Sequence, residues 1–527
     1  MIGKKNTDEW RDLIRKRDRH LISRLESVYG ENRALLEERL NALLTLTDKF
    51  GEIYGAKEVG FVRAPGRLNT LGRHADHRGA YINPMSIDKE ILLCYAGRND
   101  DSVEVYNLDR SYGTRDFRIT EECAPVPITS DSAWLDWTQK KTDERKAAGT
   151  NEDWSPKLKA APVYLHMQFP GEKLLGFEAV VSSSIPGKAG LSSSSAIVVA
   201  SMEIMMDVNH ISLDDQQFVR YCGAAEWYVG TRGGSGDHAA IKFGRLGKIT
   251  HMRTLPELMI DAYLPFPEGY QIVIFDSGIE AVKTGAAGQK FNEKTATYEI
   301  GEIYLREYMQ ERHGDILQRI VDSRQGLEIE KKFHLGDVVE CLQQQQIYRL
   351  VQHLPERINR QALLKQWPED QALLKQQFAT HSDPEGDYQI RMVLTYGIAE
   401  AERSRMLKEV LNRNRVDIYG QLMNVSHNGD RVSLSSPRFN PEQDLHLQPG
   451  DYNCSIPEID GMVDIALETG ADGAQISGAG MGGSMMVLVK TEAVDSVIDA
   501  MRARYYRPHN IEEKNIVASP VQGAGLL

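Results

Sequence analysis

Small and hydroxyl-bearing residues form a dense run between two apolar stretches of the chain. The run comprises Pro186, Gly187, Lys188, Ala189, Gly190, Leu191, Ser192, Ser193, Ser194 and Ser195. Glycines let backbone N–H groups approach a ligand closely, and the N-terminus of a following helix adds positive potential. A flexible loop with a serine cap is the alternative. The strand–loop–helix context favours a phosphate-binding loop, although the absence of a GK[ST] ending excludes a Walker A loop.

A second glycine-rich loop, residues 477–483, matches the spacing GxGxxG through Gly478, Gly480 and Gly483. In a dinucleotide-binding fold, such a loop opens a helix. Here the run SMMVLV follows, and it is typical of a strand. We therefore expect a hairpin that faces a ligand, and this context argues against a Rossmann dehydrogenase.

Asp237 follows Gly233, Gly234, Ser235 and Gly236 in the run GGSGDH. An aspartate in a glycine-rich turn commonly bonds its own backbone, while a base for proton transfer is the functional alternative. Glu226 lies upstream on a predicted helix and is a candidate metal-binding carboxylate.

The segment 67–78 crowds three arginines, two histidines and an aspartate into twelve residues: Arg67, Arg73, Arg78, His74, His77 and Asp76. The two histidines could suggest a metal site, but no cysteine or further histidine lies nearby in the sequence. Polar groups that line a substrate pocket fit this composition better.

Strands and helices alternate around these blocks, which predicts an α/β or α+β fold. Residues 1 to about 55 have helical spacing and are expected to pack on the main body. The run YINPMSIDKEILLCYAGR contains two short apolar runs, broken at Pro84 and near Asp88. Residues 295–412 are helical and glutamine-rich, with leucine and valine at helical steps that predict a solvated glutamine face.

Composition limits the functional class. With 527 residues, two or three domains are expected, and the net charge of −13 disfavours nucleic-acid binding. The five cysteines include no CxxC pair, and no apolar run is long enough to span a membrane. Without a visible signal peptide, we expect a cytoplasmic protein.

The four blocks, in this order, resemble the GHMP small-molecule kinases, and within them the galactokinase family. The matching runs are VRAPGRLNTLGRHADHRGAYINP, SSIPGKAGLSSSSA, GTRGGSGDHAAI, YGQLMNVSHN, CSIPEIDGMVDIAL and AQISGAGMGGSMMVLV. The resemblance implies a two-lobed α/β (α+β) GHMP kinase fold, with a mixed sheet in the N-terminal lobe and an antiparallel sheet plus helices in the C-terminal lobe. Its predicted boundaries are an arm at 1–55, lobes at 56–265 and 266–527, and a helical insertion around 300–400.

The resemblance also implies roles for individual residues. Asp237 would act as the base on a sugar hydroxyl, with Arg67 beside it to keep it ionised. Ser194 and Glu226 would hold Mg²⁺. The loop 186–195 would cradle the phosphates of ATP, together with Gly478 and Gly480. Sugar contacts would come from a set of five residues: Arg73, His74, Asp76, Gly234 and Phe291.

Departures from the family pattern bear on the substrate. Arg73 stands where the family has an acidic residue that contacts the C6 hydroxyl, and a guanidinium cannot accept a hydrogen bond. Phe291 lacks the hydroxyl of the usual tyrosine, and His77, His238 and Gln475 replace other usual residues. Arg73 could grip the carboxylate of a uronic acid, or it could pair with a local carboxylate and leave a pocket for a pentose or another neutral sugar.

The expected function is an ATP- and Mg²⁺-dependent sugar kinase that acts on a galactose-like sugar or sugar acid, at the anomeric hydroxyl. The alternatives are an inactive galactokinase-like sugar sensor and a kinase for a pentose or amino sugar. The expected partners are the sugar and ATP, without nucleic acid or membrane, and the sequence leaves a monomer and a dimer equally open.

Overall fold

The computed structural model describes residues 2–150, 153–187, 189–231, 234–280, 285–324, 333–432 and 439–527, with the backbone alone at 285–288. A short strand, β1 (Lys5–Asn6), precedes three helices: α1 (Thr7–Arg15), α2 (Arg19–Tyr29) and α3 (Arg33–Tyr54). The side chains of Asn6, Asp18 and Asn32 accept N–H bonds at the three helix starts. Trp10 is fully buried and donates Nε1–H to the Val59 carbonyl, so the arm packs against the first sheet.

The first sheet is mixed and has seven strands. Its remaining strands are β2 (Glu58–Asn69), β3 (Pro84–Gly97), β4 (Ser102–Asn107), β5 (Thr114–Arg118), β6 (Phe177–Ser183) and β13 (Gly525–Leu526). The order is β1-β2-β3-β6-β4-β5, with β13 on β2; β4 and β6 are parallel, and the other pairs are antiparallel.

The predicted break near Asp88 is a bulge and not the end of a strand, because β3 is continuous from Pro84. Pro65 pairs with Glu90 and Arg67 with Ser86, so residues 87–89 of β3 stand opposite Gly66 alone, and β3 carries the bulge. The Asp88 carbonyl accepts a bond from the Arg39 guanidinium of the arm, which satisfies the backbone there.

Helices cover the first sheet: α4 (Ile119–Glu122), α5 (Asp131–Ala147), α6 (Ser155–Gln168), α7 (Ser193–Asn209), α8 (Asp215–Glu226) and α9 (Gly236–Phe243). Of these, α7 is the most deeply buried, since apolar side chains such as Val198, Met202 and Met205 cover its sheet-facing and helix-facing sides. A ribbon of β7 (Lys248–Arg253) and β8 (Met259–Pro265) follows.

The second sheet is antiparallel, in the order β10-β11-β9-β12. Its strands are β9 (Tyr270–Asp276), β10 (Ala471–Ile476), β11 (Ser484–Lys490) and β12 (Asn515–Ala518). The helices of this region are α17 (Val416–Asp430), α18 (Pro457–Glu468), α19 (Val494–Met501) and α20 (Arg507–His509). The pair β10–β11 confirms the predicted hairpin around residues 477–483, and the two sheets confirm the predicted fold class.

The helical region between β9 and α17 has its own core. It contains α10 (Gly285–Arg312), α11 (Gly314–Ser323), α12 (Leu335–Cys341), α13 (Gln344–His353), α14 (Arg360–Gln366), α15 (Gln371–Phe378) and α16 (Ile390–Asn412). In the glutamine-rich α13, Ile347, Leu350 and Val351 are buried, so the glutamines occupy the outer face as predicted.

The C-terminal segment returns to the first sheet. The Val521 N–H bonds the Ser86 carbonyl, and the Gly523 N–H bonds the Gly244 carbonyl just beyond α9. The predicted 266–527 unit therefore contributes its last residues to the other lobe. None of the helices in the described ranges is long and apolar enough to cross a bilayer.

Candidate active site

The loop between β6 and α7 leads into a helix start that no described side chain caps. Ser192 adopts a left-handed conformation with a φ of 59°, and its hydroxyl points away from the helix. The first N–H groups of a helix have no partner within it, so this start can bind an anion. Ser193, Ser194 and Ser195 lie in the first turn of α7 and not in the loop itself.

Other parts of the loop are fixed by neighbouring elements. Ala189 and Leu191 are buried, and their carbonyls accept bonds from Ser484 Oγ (3.0 Å) and from the Arg67 N–H (3.2 Å). Pro186 and Gly187 stand at its outer end, where the Tyr112 hydroxyl would lie 3.9 Å from a Cβ at Gly187. Lys188 lies outside the described residues, so its predicted role stays a prediction.

Arg67 and Asp237 form a bidentate pair. Arg67 Nε and Nη2 each donate to one carboxylate oxygen of Asp237 at 2.7 Å, and Arg67 Nη1 donates to the Gly190 carbonyl at 3.0 Å. The Ser192 hydroxyl donates to Asp237 Oδ2 at 2.6 Å. The predicted base therefore lies at the phosphate loop, 170 residues from Arg67 in the sequence.

The electrostatics keep Asp237 ionised. Burial alone would raise the pKa of Asp237, but the Arg67 charge and the hydrogen bonds from Arg67 and Ser192 hold it well below its ordinary range. Its position in the first turn of α9 adds a favourable helix-end potential. With 37% of its side chain exposed, Asp237 is accessible to a substrate.

Glu226, at the end of α8, is buried beside the start of α7. Its Oε2 accepts from Ser195 Oγ at 2.9 Å and lies 2.9 Å from His238 Nε2. Burial would raise the pKa of Glu226, but His238 and the nearby serine hydroxyl lower it below its ordinary value. The contact with His238 was not predicted from the sequence, although His238 was recognised as an unusual residue.

A divalent cation fits this corner. The Ser194 hydroxyl is buried next to the Glu226 carboxylate, and no other described group bonds it. Hydroxyl and carboxylate oxygens are the ligands that Mg²⁺ prefers. His238 would share Glu226 with such an ion, so one oxygen of that carboxylate is already engaged.

The segment after β2 faces the loop that carries Asp237. Asp76 Oδ2 would lie 3.8 Å from a Cβ at Gly234 and 3.4 Å from one at Gly236. His77 Nδ1 would lie 3.1 Å from the Cβ at Gly234, so a side chain there would crowd the passage between the two segments. Asp76 and Gly234 are therefore adjacent, as a shared pocket requires.

Arg73 is directed away from this passage. It is buried, and its Nη1 pairs with Asp430 at the end of α17, while Nη2 donates to the Gly478 carbonyl at 3.2 Å. Glu400 Oε1 accepts the backbone N–H of Arg73 at 3.1 Å. This geometry corrects the uronic-acid interpretation of Arg73 and favours the alternative, a guanidinium paired with a local carboxylate.

His74 joins the same network with a left-handed backbone, φ 57°. Its ring stacks on Tyr452 with centroids 4.2 Å apart, and its Nε2 lies 3.3 Å from Cys454 Sγ. Burial, and then the neighbouring Arg73 charge, hold the pKa of His74 well below its usual value, so the ring is neutral. Sequence reasoning missed Asp430, whose contact with Arg73 spans 357 residues.

The second glycine loop abuts the first. A Cβ at Gly478 would lie 3.6 Å from the Gly190 Cα. Gly480 has a φ of 94°, and a Cβ there would lie 2.4 Å from the Cys454 carbonyl, so only glycine fits. Gly478 thus reaches the phosphate loop, whereas Gly480 packs against Cys454.

Phe291 is half-buried on α10, and the structure gives no contact of its ring with Asp237.

Three family models match this chain. They are the GHMP kinases N terminal domain at 158–245, the GHMP kinases C terminal model at 407–507, and the galactokinase galactose-binding signature at 48–96. The signature contains Arg67, Arg73, His74 and Asp76, and the N-terminal model contains Asp237 with the phosphate loop.

Several solved structures are similar to this chain, and the first of them shares its fold. A galactokinase from Lactococcus lactis, crystallised with galactose, is 22% identical; the match covers 93% of this chain and 100% of that one, with a TM-score of 0.60. A mevalonate kinase from Methanococcus jannaschii is 13% identical, with 87% and 98% covered and a TM-score of 0.45. The L. major mevalonate kinase with R-mevalonate is also 13% identical, with 88% and 97% covered and a TM-score of 0.44.

The N-terminal model and the galactose-binding signature thus contain the paired residues Asp237 and Arg67, and the C-terminal model contains Gly478, which lies beside Gly190. The chain carries the N-terminal and C-terminal domains of the GHMP kinases together with the galactokinase galactose-binding signature, which indicates a phosphotransferase.

Proposed function

We propose that this protein transfers the γ-phosphoryl group of ATP to a hydroxyl, the anomeric one, of a galactose-like sugar. The observation that carries the proposal is the bidentate Arg67–Asp237 pair at the uncapped start of α7. It places a carboxylate that is ionised before the reaction beside a helix end that suits phosphate. Phosphoryl transfer relies mainly on positioning and charge neutralisation, which this arrangement supplies.

In this mechanism the first turn of α7 and the Gly190–Gly478 contact bind the phosphates of ATP. Ser194 and Glu226 would hold Mg²⁺, which neutralises phosphate charge when bound. The sugar oxygen bonds the γ-phosphorus as the bond to the leaving oxygen of ADP breaks, and the hydroxyl proton passes to Asp237. Because the pKa of Asp237 is low, it accepts the proton late, once the hydroxyl has become acidic.

Asp76 and His74 would bond the sugar hydroxyls from the opposite side. Asp76 can accept two hydroxyl hydrogen bonds, and the neutral His74 ring offers a flat face and one N–H. Arg73 would act indirectly, because it holds Asp430 and the Gly478 carbonyl in place. Because the Arg73 guanidinium is engaged in this way, it does not itself select among galactose, a pentose and an amino sugar.

A panel of neutral sugars, pentoses, amino sugars and uronic acids, assayed for ADP release with ATP and Mg²⁺, tests the proposal. We expect at least one galactose-configured sugar to be consumed, and NMR of the product should show phosphate at C1. If no sugar increases ADP release above the rate in water, the proposal is wrong. Product phosphorylated elsewhere than C1 would overturn the anomeric assignment alone.

The serine pair at the start of α7 offers a matched test of the metal corner. Ser194→Ala should raise the KM for MgATP about tenfold and leave the sugar KM within twofold, since one hydroxyl ligand is lost. Ser193→Ala serves as the comparison, because its hydroxyl has no described role at Glu226. A Ser194→Ala effect confined to the sugar KM would contradict the metal assignment.

A further inference from the structure

Three residues one helical turn apart on α10, Lys290, Lys294 and Tyr298, lie on the helix face that contacts Asn453 and Tyr452. Lys290 Nζ donates to Asn453 Oδ1 at 3.3 Å, and Tyr298 packs on Tyr452 with ring centroids 5.5 Å apart. Residues spaced by four share one face of a helix. Lys294 therefore lies between these two contacts on the same helix face, and the Tyr452 ring at one end of that face stacks on His74.

Among the described residues, the two lysines of this face share one distant carboxylate partner. The Lys294 side chain is 5% exposed, and its recorded ion-pair neighbour is Glu293 Oε1, at 3.6 Å. Lys290 is half-buried and bonds only a neutral amide oxygen among the described contacts. Buried ammonium groups are costly unless an anion pairs with them closely.

The surrounding charges lead to the same conclusion. Burial, and then the Lys294 charge, lower the pKa of Lys290, so the two ammonium groups repel each other. The acidic groups that face Lys290 are Glu293 and Asp451, together with the Cys454 thiol, and their effect is smaller than that of Lys294. An anion placed between the lysines would relieve this repulsion.

We propose that Lys290 and Lys294 bind an anionic group, a carboxylate or a phosphate, carried by the sugar that this kinase phosphorylates. The inference rests on the proposed function and names the substrate class as an acidic sugar. The two lysines take the anion-binding role that the sequence suggested for Arg73, because the Arg73 guanidinium is already held by Asp430. The site proposed for the ATP phosphates is a different one, on the loop that contacts Arg67 and Gly478.

Calorimetry on the full chain tests binding directly, with galacturonate, galactose 6-phosphate and galactose as separate titrants in the absence of nucleotide. We expect one of the two acids to bind at least about tenfold tighter than galactose. Lys294→Met and Lys290→Met should each weaken binding of that acid by about 10- to 100-fold, the range for hydrogen bonds to charged groups. Lys294→Arg should restore most of the affinity.

Two controls separate recognition from folding. Lys365→Met removes an exposed lysine on α14 and should bind the acid like the wild type. The KM for ATP in the Lys294→Met and Lys290→Met variants should stay within twofold of wild type, which a collapsed site could not show. Lys290→Met lies at a less buried position than Lys294, so it keeps the test usable if Lys294→Met does not fold.

The outcomes distinguish the inference from the proposed function. If galactose binds as tightly as both acids, or if neither methionine variant weakens binding of the acid, the inference is overturned, while ADP release with any sugar keeps the proposed function. If an acid binds through the lysines and no sugar releases ADP, the site stands and the proposed function fails. If only galacturonate binds more tightly than galactose, the anionic group of the substrate is a carboxylate; if only galactose 6-phosphate does, it is a phosphate.

Discussion

Replacing Arg67 with methionine should move the acidic limb of the pH–rate profile to higher pH. In the wild-type protein, Arg67 donates two bonds of 2.7 Å to Asp237 and holds the pKa of that carboxyl well below its ordinary range. Wild-type turnover should therefore stay flat through the pH range in which an ordinary aspartate titrates. Without the guanidinium, burial dominates and the pKa of Asp237 rises.

The size of the effect follows from the geometry. Losing an adjacent opposite charge should shift the acidic limb by about one to three pH units. Losing two donors aimed at the reacting region should also lower kcat at pH 7.5 by about 100-fold, or about 2.7 kcal/mol in barrier height. The Ser192 bond to Asp237 remains in the variant, so the shift should fall short of that of a fully unpaired carboxyl.

Initial rates of ADP release, measured from pH 3 to 8 with saturating sugar and MgATP, give the profile. Arg413→Met is the matched control, because Arg413 is 72% exposed and pairs with Glu409 at the exposed C-terminal end of α16. The control should reproduce the wild-type profile. If the pH–rate profile of Arg67→Met had the wild-type shape below pH 6, the claim that Arg67 keeps Asp237 ionised would be refuted.

Burial raises the pKa of Glu302 from 4.5 to about 7, so wild-type stability should fall as the pH rises through that interval. Glu302→Gln should be more stable than wild type by up to about 3 kcal/mol at pH 8 and equal to it at pH 4.5, by urea denaturation. Gly480→Ala places a Cβ against the Cys454 carbonyl at a residue with positive φ, so the free energy of unfolding should fall by about 2 kcal/mol or more. Gly461→Ala, at an open site in a helix, should raise the free energy of unfolding by about 0.5 kcal/mol; equal melting temperatures of the two variants would contradict this packing. Arg73→Met leaves the buried Asp430 carboxylate without its cation and should destabilise the fold by about 3–5 kcal/mol; a stable variant with altered sugar preference would instead place Arg73 in the substrate pocket.

Local patterns predicted the parts of the site that depend on neighbours in sequence. The strand–loop–helix at Ser192 and the hairpin at Gly478 follow from apolar runs and glycine spacing, and both are present. The resemblance also predicted that Arg67 would lie near Asp237. The donation from Ser192 to Asp237 was missed, because a left-handed serine that turns from its own helix has no sequence signal.

Long-range pairings lay beyond the reach of the sequence. Nothing near Arg73 indicates that its carboxylate partner is Asp430, at the end of a helix 357 residues away. The irregularity near Asp88, in contrast, was indicated locally: β3 continues through it as a bulge, and only the partner of that bulge, Gly66 of β2, was beyond the reach of the sequence. The role proposed for Lys290 and Lys294 depends on the packing of α10 against Tyr452 and Asn453, which the sequence does not indicate.

The central claim is that Asp237 takes part in phosphoryl transfer at the start of α7, and one variant tests it most directly. Asp237→Asn keeps the shape of the side chain and removes its charge. The account predicts that the variant folds and binds MgATP with an affinity near that of wild type, by calorimetry, while sugar-dependent ADP release falls by about 100- to 10,000-fold. Sugar-dependent turnover at the wild-type rate in Asp237→Asn would contradict the account.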